Sequence, residues 1–157
     1  ANRRHLKKLG IPENLLDEYQ EIDFKALKNL KIKDSKIKET ILKLKEKGYK
    51  VAVLSDTPHS KDHKKIMLDI VGLDDMFDEI FVSSELGHTK PDKEAYFTVM
   101  KHFGAKPNET VFVGHDEDEL VGAKKLGIKT ISYQGHESGD FVIQNFKEIL
   151  DVVEKLT

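Results

Sequence analysis

Residues 111–123 read VFVGHDEDELVGA, an apolar run closed by glycine, then a string of acidic residues, then a Gly-Ala pair. A short apolar run bounded by turn residues is typical of a strand buried on both faces of a parallel sheet. Acidic residues directly after such a strand lie at its carboxyl end, where open parallel sheets bind ligands. The stretch therefore predicts an α/β fold with a polar site on the loop after strand Val111–Val113.

The same alternation extends through most of the chain. Short apolar runs alternate with segments whose apolar residues recur at helical spacing, and Gly48 and Gly104 close two of those segments. Such alternation predicts βαβ units, and hence a doubly wound, mostly parallel α/β sheet with helices on both faces. The predicted strands are Val51–Leu54, Ile80–Val82, Val111–Val113, Thr130–Tyr133 and a short edge strand at Phe141–Ile143.

The N-terminal part of the chain follows a different pattern. Residues 1–33 contain apolar side chains at helical spacing and no strand-like run, which predicts two or three short helices. We expect a small helical segment over 1–33 and an α/β core over 34–157. Asp34 and Ser35 are the candidate caps for the first helix of that core.

Composition narrows the functional classes. A chain of 157 residues is long enough for one domain with a proper core. The net charge of −2 argues against a nucleic-acid partner, and the absence of cysteine excludes disulfides and thiolate chemistry. The sequence has no long apolar run and no signal-peptide pattern, so we expect a cytoplasmic protein with no membrane partner.

Two further segments place polar residues at predicted strand and helix ends. Ser55 and Asp56 follow strand Val51–Leu54, where a hydroxyl and backbone amides can meet a phosphate, although such residues also form ordinary polar turns. Lys90 lies in the string GHTKPD, residues 87–92, just before a predicted helix. A cation there can neutralise a phosphate, whereas most lysines of this chain fit a solvated surface.

Residues 87–97, GHTKPDKEAYF, and residues 114–123, GHDEDELVGA, resemble two motifs of the haloacid dehalogenase-like hydrolases, in the subclass that carries a helical cap. The resemblance implies a Rossmann-like core and phosphohydrolase activity on a small phosphorylated metabolite. It also implies an aspartyl-phosphate intermediate and Mg²⁺ as cofactor. Dehalogenase, phosphonatase and phosphomutase activities share this scaffold, so the reaction class follows less directly than the fold.

The resemblance also assigns roles to particular residues. Ser55, with Asp56 beside it, would bind the transferring phosphoryl group. Lys90 would neutralise that group and hold the nucleophile. Asp116 and Glu119 would position the magnesium ion, because hard carboxylate oxygens suit Mg²⁺.

The chain departs from the family pattern in two places. His115 stands where the acidic loop of the family has its first aspartate, and Glu119 stands where it has its second. Either Asp116 takes the metal role by a shift of one residue, or the metal site is weakened. In addition, no strand-like run before Ser55 ends in the Asp-x-Asp of the family nucleophile. The resemblance thus begins inside the helical cap, and we expect a fragment or a split protein whose nucleophilic aspartate lies outside this chain.

The missing strand has a structural and a functional consequence. Strands Val51–Leu54 and Val111–Val113 would keep unpaired inner edges, and each unsatisfied buried backbone group costs roughly 1–3 kcal/mol. We expect these edges to be covered by each other, by a segment of a second copy, or by a complementing N-terminal segment. The chain alone should be inactive. The alternative is a catalytically degenerate binding or regulatory protein of the same fold.

Overall fold

The computed structural model describes residues 7, 10–27, 29–135 and 137–156, without the side chains of residues 19, 20 and 22–24. The chain packs as two compact units. One unit consists of Ala1–Lys33 and Ala52–Gly87, and the other of Asp34–Val51 and His88–Thr157. The predicted division into a 1–33 helical segment and a 34–157 core stays a prediction, and residues 1–6, 8, 9 and 28 of that segment lie outside the described residues.

Helices and short strands alternate along the chain, as the sequence predicts. The helices are α1 Leu16–Leu27, α2 Ile37–Glu46, α3 Lys61–Ile70, α4 Ser83–Leu86, α5 Lys93–Phe103, α6 Glu117–Lys125 and α7 Ile149–Leu156. The strands are β1 Ala52–Ser55, β2 Glu79–Val82, β3 Val111–Gly114, β4 Lys129–Tyr133 and β5 Phe141–Ile143. Short 3₁₀ turns occupy Glu13–Leu15, Pro107–Glu109 and Phe146–Glu148. None of the helices, within the residues described, has the length and apolar character needed to cross a membrane.

All five predicted strands are present, each within one residue of its expected bounds. β1 pairs in parallel with β2, and β4 pairs in parallel with both β3 and β5. The small shifts arise because an apolar run marks the buried part of a strand, whereas the backbone ladder continues into polar neighbours. The prediction of an α/β fold with parallel sheets is confirmed.

The second unit shows why the sheet is doubly wound. Val111 and Val113 pack on the main core with residues of α2 and α7. Phe112, between them, meets Tyr96 of α5 edge-on, with ring centroids 5.4 Å apart. Successive side chains of a strand point to opposite faces, so helices cover both faces of this sheet. The core on the α2 and α7 face includes Leu44, Ile131, Ile143, Ile149, Val152 and Val153.

The strands form two parallel sheets, β1-β2 and β3-β4-β5. How the inner edges of β1 and β3 are covered stays a prediction, with direct pairing, a segment from a second copy and a complementing N-terminal segment as its three alternatives.

The start of α2 differs from the sequence prediction. Lys36 is the residue that precedes α2, and no side chain caps the helix there, so the assignment of Asp34 and Ser35 as caps is wrong. Asp34 instead accepts hydrogen bonds from the backbone N–H groups of Lys36, at 2.8 Å, and Phe146, at 2.9 Å. The Phe146 bond, followed by the Lys36 bond, lowers the pKa of the Asp34 carboxyl. Asp34 therefore ties the segment before α2 to the turn before α7.

Ser132 on β4 provides a stability prediction. Its side chain is fully buried, and its Oγ has no hydrogen-bond partner in the part of the chain that the structure describes. A buried hydroxyl left unsatisfied costs free energy, so we expect Ser132→Ala to raise the free energy of unfolding by about 1 kcal/mol. Urea denaturation measures the change. Ser138→Ala is the control, because the Ser138 Oγ donates to Glu117 Oε1 at 2.8 Å and its loss should lower stability. A loss in both variants would contradict the prediction.

Candidate active site

An ion pair lies at the carboxyl end of β3, between Lys90 and Glu119. Lys90 lies on the loop before α5, and Glu119 lies in the first turn of α6, with Lys90 Nζ 3.4 Å from Glu119 Oε1. The lysine side chain is only 6% exposed and the glutamate side chain 20%. Attraction between charges is stronger in such a partly buried setting than in water. The structure thus brings together two of the residues that the resemblance assigns to the site.

The loop that carries Lys90 is held by Asp92. The Asp92 carboxylate caps α5, because its Oδ1 accepts from the Glu94 N–H at 3.2 Å, and its Oδ2 lies 2.9 Å from His88 Nδ1. The Asp92 N–H donates to the Thr89 carbonyl at 2.9 Å. The Glu94 N–H, followed by the neighbouring His88 ring, lowers the pKa of the Asp92 carboxyl. His88 is therefore an exposed loop residue that also contacts the helix cap.

Helix α6 approaches the Lys90 loop closely at Gly122. A Cβ placed on Gly122 would lie 2.7 Å from Pro91 Cβ and 3.1 Å from the Pro91 carbonyl oxygen. Only glycine allows this approach without a shift of the backbone. The glycine of the Gly-Ala pair thus sets the separation between the loop that carries Lys90 and the helix that carries Glu119.

Asp116 begins α6. Its Oδ1 accepts from the backbone N–H groups of Asp118, at 3.0 Å, and Glu119, at 3.4 Å, which makes it the N-cap of the helix. The exposed carboxylates of Asp116, Glu117 and Asp118 are stabilised there by the helix dipole. His115, the residue before the cap, is also exposed. Asp116 and Glu119 consequently share the first turn of α6 at the carboxyl end of β3.

Tyr96 also belongs to this site. Its hydroxyl donates to the backbone carbonyl of Glu119 at 2.7 Å, and its side chain is buried. A tyrosine among apolar residues at helical spacing indicates only that this side of the helix packs on the core. Nothing in the sequence therefore marks the hydrogen bond of its hydroxyl. The motif resemblance includes the position but does not give it a role.

The acidic loop after β3 offers two carboxylates that could form part of a magnesium site. No group of three or more histidine, aspartate or glutamate side chains among the described residues is arranged to hold a metal ion. Mg²⁺, however, usually keeps several waters and uses only one or two protein carboxylates together with substrate phosphate. Asp116 and Glu119 supply two such carboxylates on one helical turn. Their donor chemistry suits Mg²⁺, and the remaining ligands would come from elsewhere.

Ser55 and Asp56 lie in the unit that contains β1 and β2. Ser55 is the last residue of β1, opposite Val82 of β2, which agrees with its predicted place at a strand tip. The following loop is fixed by Ser83 at the start of α4, whose Oγ accepts from the Thr57 N–H at 3.0 Å and donates to the Thr57 carbonyl at 3.2 Å. The meeting of Ser55 with Lys90 and Asp116 stays a prediction.

Comparisons with known proteins agree on one family. The sequence model described as haloacid dehalogenase-like hydrolase matches residues 2–133. A glyceraldehyde 3-phosphate phosphatase from Pyrococcus furiosus is 30% identical over 129 residues, which cover 75% of this chain and 53% of that protein. Pyrophosphatase PpaX from Halalkalibacterium halodurans is 30% identical over 124 residues, covering 73% of this chain and 57% of that protein. The chain therefore spans only about half the length of these relatives.

A solved structure extends the agreement to the fold. The crystal structure of a subfamily IA hydrolase of this superfamily from Geobacter sulfurreducens superimposes with a TM-score of 0.73 at 25% sequence identity. The superposition covers 98% of this chain and 73% of that one. The family match spans well over half of the chain and includes both the Lys90 loop and the acidic loop after β3. The chain belongs to the haloacid dehalogenase-like hydrolase family.

Proposed function

We propose that the protein is a magnesium-dependent phosphohydrolase that acts on a small phosphorylated metabolite through an aspartyl-phosphate intermediate. The observation that carries the proposal is the Lys90–Glu119 ion pair at the carboxyl end of β3. A buried ion pair contributes little net stability, because loss of hydration offsets the attraction, so packing alone does not account for a lysine that is 6% exposed. Relatives that hydrolyse phosphate compounds support the same reaction class.

Each residue would have a distinct part in phosphoryl transfer. The Lys90 ammonium would neutralise the oxygens of the transferring phosphoryl group, and the Ser55 hydroxyl, beside Asp56, would donate a hydrogen bond to it. Glu119 would hold the Lys90 ammonium in place. Asp116 and Glu119 would hold Mg²⁺, which when bound supplies further neutralisation of the phosphoryl charge.

The attacking carboxylate would come from outside these 157 residues. Asp116 and Asp118 are engaged at the start of α6, one as its cap and the other within its first turn. An in-line nucleophile must approach phosphorus opposite the leaving group, from a position separate from the groups that hold the metal. In the first step that external carboxylate would form a bond to phosphorus while the bond to the leaving oxygen breaks, and the leaving oxygen would take up a proton. In the second step water would attack the acyl phosphate, which releases inorganic phosphate and regenerates the carboxylate.

A substrate panel tests the proposal. The protein at its native length is assayed for phosphate release from phosphorylated metabolites, including glyceraldehyde 3-phosphate and pyrophosphate, with Mg²⁺ and with EDTA. We expect turnover of at least one compound, dependent on Mg²⁺. The 157-residue chain, assayed in parallel, should release no phosphate. Absence of turnover across the panel at native length, or turnover unaffected by EDTA, would refute the proposal.

A binding or regulatory role is the second candidate, and His115 is the observation that favours it. An exposed histidine stands at the loop position where the resemblance expects the first metal-binding aspartate. A protein that has lost its chemistry should bind a phosphorylated compound at native length, as measured by calorimetry, and release no phosphate from it. Restoring the carboxylate with His115→Asp should then strengthen Mg²⁺ binding.

A further inference from the structure

A buried hydrogen bond joins helices α5 and α6. The Tyr96 hydroxyl on α5 donates to the Glu119 carbonyl oxygen in the first turn of α6 at 2.7 Å. The tyrosine side chain is only 3% exposed, so water does not compete freely for this bond. Hydrogen bonds at such sites hold the groups that they join in one geometry.

The parts of the chain that this contact joins also carry the two members of the ion pair. Lys90 lies on the loop that enters α5, the helix that carries Tyr96, and Glu119 carries both the accepting carbonyl and the paired carboxylate. The Tyr96 ring is fixed in turn by its edge-on contact with Phe112 of β3. If α6 moved away from α5, the distance between Lys90 and Glu119 would change. The hydrogen bond of the Tyr96 hydroxyl opposes that movement.

The last residue of β3, Gly114, lies beside both the aromatic pair and the glutamate. A Cβ on Gly114 would lie 2.8 Å from the Phe112 ring and 3.8 Å from Glu119 Oε2. The Phe112 ring and the Glu119 carboxylate thus both lie close to the last residue of β3. The Tyr96 ring packs on this same phenylalanine, so the aromatic pair and the hydrogen bond act on one small region.

We infer that Tyr96 is a positioning residue, whose hydroxyl sets the placement of Glu119 and through it the placement of the Lys90 ammonium. As a statement about catalysis the inference rests on the proposed function. As a statement about the geometry of Lys90 it stands independently of any activity. Tyr96 acts through Glu119 and is not assigned a catalytic role.

Tyr96→Phe tests the inference, because it removes the hydroxyl and keeps the ring. At native length we expect kcat to fall about three- to tenfold with KM for the phosphorylated substrate unchanged, the size expected for one lost hydrogen bond. Tyr133→Phe is the matched control. It removes a tyrosine hydroxyl that lies 3.4 Å from Asp34 Oδ2, in a different contact, and should leave kcat unchanged.

A spectroscopic measurement decides the inference even if the protein hydrolyses no phosphate. With ¹³C-labelled lysine, the Lys90 side-chain resonance is assigned by its loss in Lys90→Ala. Tyr96→Phe should shift that resonance, as Glu119→Gln should, while Tyr133→Phe should not. In a Glu119→Gln background, Tyr96→Phe should produce no further shift, because its effect passes through Glu119.

Three results would overturn the inference. They are an unmoved Lys90 resonance in Tyr96→Phe, an equal movement in Tyr133→Phe, and an undiminished effect of Tyr96→Phe when Glu119 is already glutamine. Circular dichroism and thermal unfolding of each variant establish that the comparison is made between folded proteins. Failure of the substrate panel alone would refute the proposed reaction and leave the placement of Lys90 by Tyr96 to be decided by the spectrum.

Discussion

Replacing Lys90 with alanine in the protein of the substrate panel should lower kcat/KM by roughly 10²–10³-fold, the loss typical when one preorganised group that stabilises transition-state charge is removed. Lys90 is suited to that role because its ammonium is held in a largely buried position by Glu119. Its removal also leaves the Glu119 carboxylate without this cation. Steady-state phosphate release on the best substrate of the panel measures the effect.

Lys93→Ala is the control for this experiment. Lys93 is exposed at the start of α5, so the variant makes the same change in net charge close to the same loop. We expect it to retain the activity of the parent protein, and both variants to show the parent's circular dichroism spectrum. Equal activity in the two variants would mean that Lys90 does not contribute to the reaction.

Gly122→Val should lower the free energy of unfolding by about 1–3 kcal/mol, in the range of overpacked sites, and should reduce activity at the same time. The physical reason is the close approach of α6 to Pro91, which leaves no room for a Cβ at position 122. Relief of the clash requires α6 or the Lys90 loop to move. Both carry a member of the ion pair. Chemical denaturation and the phosphate-release assay measure the two effects on the same preparation.

Lys125→Val is the control that distinguishes the effect of this clash from the effect of placing a valine in helix α6. Lys125 is exposed at the end of α6, and its replacement carries the β-branching penalty, which is at most about 0.7 kcal/mol, without a steric neighbour. We expect a small loss of stability and full activity. If Lys125→Val and Gly122→Val destabilise the protein equally, the contact with Pro91 does not set the position of α6.

The fold was predictable because local patterns and tertiary burial agree. The runs Val51–Leu54 and Val111–Val113 are apolar on both faces, and β1 and β3 form within one residue of them. The start of α2 was not predictable in the same way. Asp34 favours capping by its chemistry, but its carboxylate accepts the N–H of Phe146, a residue far along the chain, and tertiary structure thus overrides the local preference.

The site residues that lie in the two motifs could be predicted from the sequence. The resemblance identifies Lys90 and Glu119 as members of one site, and the structure places their charged groups 3.4 Å apart. The role of Tyr96 could not be read from the sequence, because it depends on the separation of α5 and α6 rather than on any local pattern. The restriction at Gly122 has the same origin, since only the folded chain brings Pro91 beside it.

The most direct test is to locate the phosphoryl group on the protein during turnover. The protein of the substrate panel is mixed with its best substrate and Mg²⁺, quenched in acid, and analysed by peptide mass spectrometry. We expect a single phosphorylated aspartate that lies outside residues 1–157 of this sequence, and we expect Lys90→Ala to lower the signal. A phosphoryl group on Asp116 or Asp118, or steady turnover with no phosphorylated aspartate at all, would contradict it.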